Sequence, residues 1–331
     1  MRSRELSDFS SLTKSTTKDS RGYLICLTAT AVWSFTAILI RYLTDTYLLP
    51  PLVLAFWRDA FVFAALATVF LVFNRRNFRL AGENLKFMVL YGFILSSFNA
   101  LWTVSVGLNG AAVSTVLVYS SPAFTAILGW WFFSERVGIV KIIAVLLSLI
   151  GCVFISGAYD SSAWQVNAIG IITGLLSGLG FAAYSIMGKA SAERSINPWT
   201  AMLYSFGFAA LFLLLYNLFP VNLPVVDSFR NLFWLDGAWM GWAVLVLLAA
   251  GPTIGGYGLY TVSLSYLPVV VANLIATLEP VMTALLAYFL LGERFTIPQL
   301  LGSALIIAGV ILLRVSGGRR ASGGKESPVF G

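Results

Sequence analysis

The feature that most constrains this chain is a series of ten apolar runs, at roughly 22–43, 51–73, 86–107, 111–133, 138–157, 168–189, 198–219, 238–265, 269–291 and 297–315. At a helical rise of about 1.5 Å per residue, runs of this length cross about 30 Å of hydrocarbon. Charged residues make up 11% of the 331 and hydrophobic ones 59%, whereas a soluble chain carries about 25% charged residues. The expected fold is therefore all-α, a polytopic membrane protein of ten transmembrane helices.

Charge placement orients the chain. The net charge of +7 is concentrated in short loops and at the ends, as next to a bilayer, and not in a patch for nucleic acid. With the N-terminus in the cytoplasm, 17 of the 21 basic residues fall on the cytoplasmic side. The opposite loops keep Arg230 and Arg294, and Arg41 and Arg58 lie within or at the ends of helices. The positive-inside rule then places both termini in the cytoplasm. Residues 1–21 are polar and Ser/Thr-rich and read as a disordered cytoplasmic tail rather than a signal peptide. Residues 158–167 read as a periplasmic linker, and the Gly-rich 316–331 as a flexible cytoplasmic tail.

Sliding the chain on itself by 158 residues lays LWTVSVGLNGAAVSTVLVYSSPAFTAILGWWFFSER (101–136) over LYTVSLSYLPVVVANLIATLEPVMTALLAYFLLGER (259–294) without a gap. The match continues to Gly151 over Gly309. The chain thus reads as two homologous halves, 22–157 and 168–315, of five spans each. Five is odd, so the second half threads the membrane in the opposite sense. Inverted repeats are the architecture of secondary transporters, with substrate bound near the midplane where the halves meet. Channels and purely structural membrane proteins also contain repeats.

Spans four-five and nine-ten share a midspan proline, an Ala/Leu-rich run, a G/S-E-R triplet and a helix ending in glycine followed by apolar residues. This pattern resembles the EamA-type repeat of the drug/metabolite transporter superfamily. Ser134 stands where that repeat usually has glycine. In aromatic content and layout the chain looks closest to bacterial inner-membrane exporters of aromatic and other neutral amino acids, the YddG type. The resemblance implies ten helices around a central cavity and export by alternating access.

The polar residues deep in the spans outline a candidate cavity. Asn99 and Trp102 lie in span three, Tyr119 in four, Tyr184 in six, Tyr257 in eight and Asn273 in nine, with Trp33 of span one as a stacking wall. An asparagine in hydrocarbon is costly unless it faces protein or water, and hydrogen bonding between helices explains any one of these equally simply. Pro122 and Pro280 superimpose in the repeat. Each removes a backbone donor, and paired interruptions of this kind point to a binding or gating region, although a static kink for packing also accounts for them. Glu279 lies near the centre of span nine, where an acidic side chain costs about 2.5–3.5 kcal/mol on insertion scales. It is a candidate partner for a substrate amine, a proton carrier, or a donor tying two helices together.

Other features carry less. Gly170, Gly174 and Gly178, and Gly251 and Gly255, form small-xxx-small patterns that allow close helix approach. Arg58 and Asp59 are adjacent on a helix and do not face each other, so each is expected to find its own partner or to snorkel. Histidine is absent, and Cys26 and Cys152 both fall in apolar runs. No catalytic constellation, cofactor motif or metal set emerges, and the expectation is a non-enzymatic protein without cofactor or metal. A membrane scaffold is the remaining rival. Few fixed charges in the spans favour a small neutral or zwitterionic substrate over one of large net charge. The expected partners are such a small molecule and the lipid bilayer, with no nucleic acid, and a monomer suffices.

Overall fold

Helix-entry chemistry written in the sequence sets many of the element boundaries. In the computed structural model, which describes residues 20–135, 138–161, 167–218, 232–292 and 294–322, Asn167 accepts hydrogen bonds from the amides of Ile169 and Gly170 at the start of one helix. Asn197 likewise accepts from Trp199 at the start of the next. Thr296 and Gln299 form the reciprocal box their spacing predicts, with Thr296 N donating to Gln299 Oε1 at 2.9 Å and Gln299 N donating to Thr296 Oγ1 at 3.4 Å. The resulting spans are α1 Ser20–Tyr47, α2 Pro51–Phe73, α3 Gly82–Val106, α4 Val113–Phe133, α5 Ile139–Ser156, α6 Ala168–Glu193, α7 Pro198–Leu218, α8 Trp239–Ser263, α9 Val269–Leu290 and α10 Ile297–Val315. Each is long and apolar enough to cross a membrane, and the described residues contain no strand. Their outward faces carry large exposed apolar side chains such as Val72, Trp131 and Phe289, as lipid contact requires.

Two boundaries differ from those expected. Helix α1 begins at Ser20, and helical backbone continues past α10 to Ser322, into the stretch read as a flexible tail. Adding residues to an existing helix avoids the unfavourable nucleation step, so a helix overruns the apolar run that started it.

Between α3 and α4 the chain reverses. Ser105 Oγ lies 2.8 Å from Ser114 Oγ, whereas nine residues of straight helix would separate them by about 13.5 Å. Both spans pack on α6 through its glycines. A Cβ on Gly174 would stand 2.6 Å from Ser105 Oγ of α3 and 2.5 Å from Leu117 Cδ1 of α4, and one on Gly178 would stand 2.9 Å from the Leu117 carbonyl. Gly251 differs. A Cβ there would meet nothing closer than Leu247 Cδ1 at 3.8 Å, a side chain of its own helix, so it permits no close approach. That stretch of α8 instead widens into a π-turn over Ala249–Thr253 around Pro252. Thr253 Oγ1 donates to Leu248 O at 2.7 Å, satisfying a carbonyl beside the break.

Helices α5 and α10 meet in a contact that the 158-residue shift maps onto itself. A Cβ on Gly151 would meet Gly302 O and Ile306, and one on Gly309 would meet Ala144 O and Ser148. Each member of the first set is the repeat counterpart of a member of the second, so the contact is self-complementary. At one end of the bundle the Arg314 guanidinium lies 5.7 Å from the Tyr23 ring centroid, bringing the start of α1 beside the end of α10.

Candidate functional site

The site is built around two broken helices. Helix α4 is interrupted at Tyr119–Ser120 and resumes as Ser121–Phe133; α9 is interrupted at Thr277–Leu278 and resumes as Glu279–Leu291. The breaks are repeat counterparts, and each second segment opens with proline in its first turn, where the missing amide would be unpaired anyway. Glu279 consequently occupies the first turn of a half-helix, where the positive end of the helix dipole meets its carboxylate.

A cavity of about 560 Å³ lies in front of these breaks, within the size range of small-molecule sites. Most of its lining comes from the later part of α1, the ends of α3 and α5, the start of α4, the second segment of α9 and the start of α10, with Arg58 of α2, Phe181 of α6 and Tyr257 of α8 completing it. Those segments lie away from the bundle end that carries Ser20 and Ser322, and the exposed Arg41 and Arg294 stand among the lining. The cavity therefore opens opposite the chain ends.

Towards the chain ends it is closed. Every residue of Val269–Ala276 is buried, and a polar chain crosses beneath the cavity. Ser121 Oγ donates to Asn273 Oδ1 at 2.8 Å, Asn273 Nδ2 donates to Ser185 Oγ at 3.1 Å, and Ser185 Oγ lies 2.7 Å from the Tyr260 hydroxyl. Further down, Glu135 Oε1 accepts from the Val269 amide at 3.0 Å, and Lys141 Nζ stands 3.8 Å from the other carboxylate oxygen. Glu135 is thus a cap on α9 supplied by the first half. Arg136 and Glu293 lie outside the described residues.

Of the residues singled out from sequence, Trp33, Asn99, Trp102, Tyr119, Tyr257, Glu279 and Pro280 line the cavity. Trp33 and Tyr257 meet edge to face with centroids 4.3 Å apart, and Phe181 lies 5.8 Å from Trp33. Tyr119 donates its hydroxyl to Glu279 Oε2 at 2.9 Å, linking the two halves and engaging one carboxylate oxygen. Three candidates stand elsewhere. Tyr184 is fully buried behind the wall, against Tyr91 at 4.9 Å and Tyr257 at 5.6 Å. Asn273 belongs to the polar chain under the floor. Pro122 is buried beside it and does not line the cavity. Being polar inside a span does not say whether a side chain faces water or another helix, and for Asn273 the neighbouring helices supplied the partners.

Sequence reasoning missed Arg58, Phe98, Phe181, Thr115 and Thr283, which also line the cavity. The phenylalanines carry no signal among 25. Arg58 did, as a charge inside a span. It neither snorkels nor finds a remote partner: its Nε donates to Asp59 Oδ1 at 3.0 Å, with both residues buried. The rule that helix neighbours diverge concerns Cβ directions, and the long arginine stem curls back to reach Asp59. Asn99 Nδ2 holds the other oxygen of Asp59 at 3.3 Å. Arg58 Nη2 is buried with no acceptor, an arrangement that costs about 1–3 kcal/mol.

The chain resembles known proteins along most of its length. An "Uncharacterized transporter" of Archaeoglobus fulgidus is 29% identical over 213 residues, 64% of this chain and 70% of that one. A "Probable amino-acid metabolite efflux pump" of Salmonella typhimurium is 26% identical over 298 residues, 87% of this chain and 93% of that one. A solved crystal structure superposes with a TM-score of 0.73 at 17% identity, covering 91% of this chain and 98% of its own, which supports the ten-helix fold alone. Residues 20–157 and 168–315 each match the EamA-like transporter family, and the chain belongs to that family of membrane transporters.

Proposed function

We propose that this protein is an inner-membrane secondary transporter that exports small neutral or zwitterionic metabolites, aromatic and other neutral amino acids foremost, by alternating access around the cavity. The observation that carries the reading is the cavity lining: aromatic walls from Trp33, Trp102, Tyr257 and Phe181 enclose a single acid, Glu279. Such a lining accepts an apolar side chain and an ammonium group, and the arginines that share it leave room for a carboxylate. The efflux-pump relative lends support through its name, and the resemblance of the sequence to YddG-type exporters points the same way. Helical spans accord with an inner membrane, since outer-membrane spans are barrels. Because the same aromatic wall also suits an apolar drug-like cation, drug export is the second reading.

The test is counterflow of labelled amino acid into proteoliposomes of the purified protein. Uptake above that of empty liposomes is expected, most of all for aromatic amino acids. Flux of an apolar cation with none of any amino acid favours the drug reading, and no flux of either leaves a scaffold.

On this reading both chain ends are cytoplasmic and the cavity faces the periplasm. Reporter fusions after Arg136 and after Arg294 are expected on opposite sides of the membrane; a signal from the same side sinks the inverted topology.

A further inference from the structure

Arg58 of α2 and Glu279 of α9 are charged residues inside spans that both line the cavity. We propose that Arg58 is its carboxylate-binding group, so that an amino acid lies with its carboxylate on the Arg58 guanidinium and its ammonium on Glu279. The inference rests on the amino-acid reading above and extends it to the orientation and chemical class of the ligand.

Arg58 lines the cavity although its residue is only 7% exposed, and a charge held inside a membrane span marks a functional position by default. Its guanidinium is partly engaged: Nε is on Asp59, while Nη2 is buried without an acceptor. A planar fork with an unused donor matches the two oxygens of a carboxylate, which a lysine or a neutral amide does not. Asp59 does not compete for the ligand's ammonium, because it is absent from the lining and its two oxygens are held by Arg58 and Asn99. Asp59 is a positioning residue, orienting the fork.

Glu279 supplies the other pole. Tyr119 engages one of its oxygens, and the carboxylate stands on the cavity surface. Arg58 comes from the first half of the chain and Glu279 from the second. A zwitterion therefore bridges the halves, and an amine without a carboxylate reaches only one of them. Aromatic side chains of Trp33, Tyr257 and Phe181 remain for the apolar part of the ligand.

The test uses wild-type protein in proteoliposomes, with counterflow of labelled L-phenylalanine competed by unlabelled L-phenylalanine, phenylalaninamide and phenethylamine. The wild type is expected to prefer L-phenylalanine at least tenfold over both compounds that lack the carboxylate. In the Arg58→Gln, Asp59→Asn double variant, which removes both charges together and leaves no unpaired one, that preference is expected to fall to within about twofold. In Arg58→Lys, which keeps the charge and loses the fork, it is expected to lie between. If phenylalaninamide competes as well as L-phenylalanine in the wild type, the proposal is overturned without recourse to any variant. A double variant that transports with the wild-type preference overturns it equally. Absence of all amino-acid flux in the wild type is a different result, which removes the transport reading itself.

Discussion

Glu279→Gln is expected to lower the initial rate of amino-acid counterflow at least tenfold while the purified protein keeps its helical content and melting temperature. Glutamine preserves the shape of the side chain and an oxygen for the Tyr119 hydroxyl, which lies 2.9 Å from Glu279 Oε2. What it removes is the negative charge at the start of the second α9 segment, on the cavity surface. A hydrogen bond to a charged group contributes about 1.5–3 kcal/mol, and each 1.4 kcal/mol is tenfold in rate or affinity. The loss falls on binding and flux rather than folding. Glutamine does not titrate, so any part of the pH dependence of transport that Glu279 carries disappears in the variant. A variant with a normal rate and an unchanged pH profile would reduce Glu279 to a link between α4 and α9 through Tyr119.

The second large effect concerns the α5–α10 contact. Gly302→Ala is expected to destabilise the protein by about 1–3 kcal/mol, read as a lower melting temperature and a smaller folded yield in detergent. Its Cβ would stand 2.6 Å from Gly151 O and 2.8 Å from Ile155 N, both backbone atoms that no side-chain rotation can move aside. The two helices must separate, and with them the self-complementary contact between the two halves. Alanine gains about 1 kcal/mol of helix propensity over glycine, which offsets only part of this. Gly251→Ala is the internal comparison, since its Cβ would meet only Leu247 Cδ1 at 3.8 Å. It is expected to leave the melting temperature unchanged or raise it slightly. Equal losses in the two variants would show that propensity or the membrane environment, and not helix separation, decides the outcome.

The all-helical class, the ten spans and the equivalence of the two halves are all legible in the order of residues. These follow from local physics: an apolar run of about twenty residues has one way to satisfy its backbone in hydrocarbon, and capping residues mark where it starts. The helix breaks before Pro122 and Pro280 were legible for the same reason, since a missing amide acts on its own helix. Which way a side chain points is a matter of several helices at once, and only the tertiary structure decided it. Asn99 and Asn273 are alike on paper, yet one lines the cavity and the other ties α4 to α6 beneath its floor. Nothing near Glu135 in the sequence shows its partner: the fold brings Val269, 134 positions away, within 3.0 Å of the carboxylate. Arg58 read as a charge that either finds its own partner or snorkels to the surface. Burial closed that route and turned its stem back onto Asp59, leaving one guanidinium donor without an acceptor beside the cavity. Hydrophobic patterning records how far each helix is from water; the partner of a buried polar group is chosen by whichever helix packs against it.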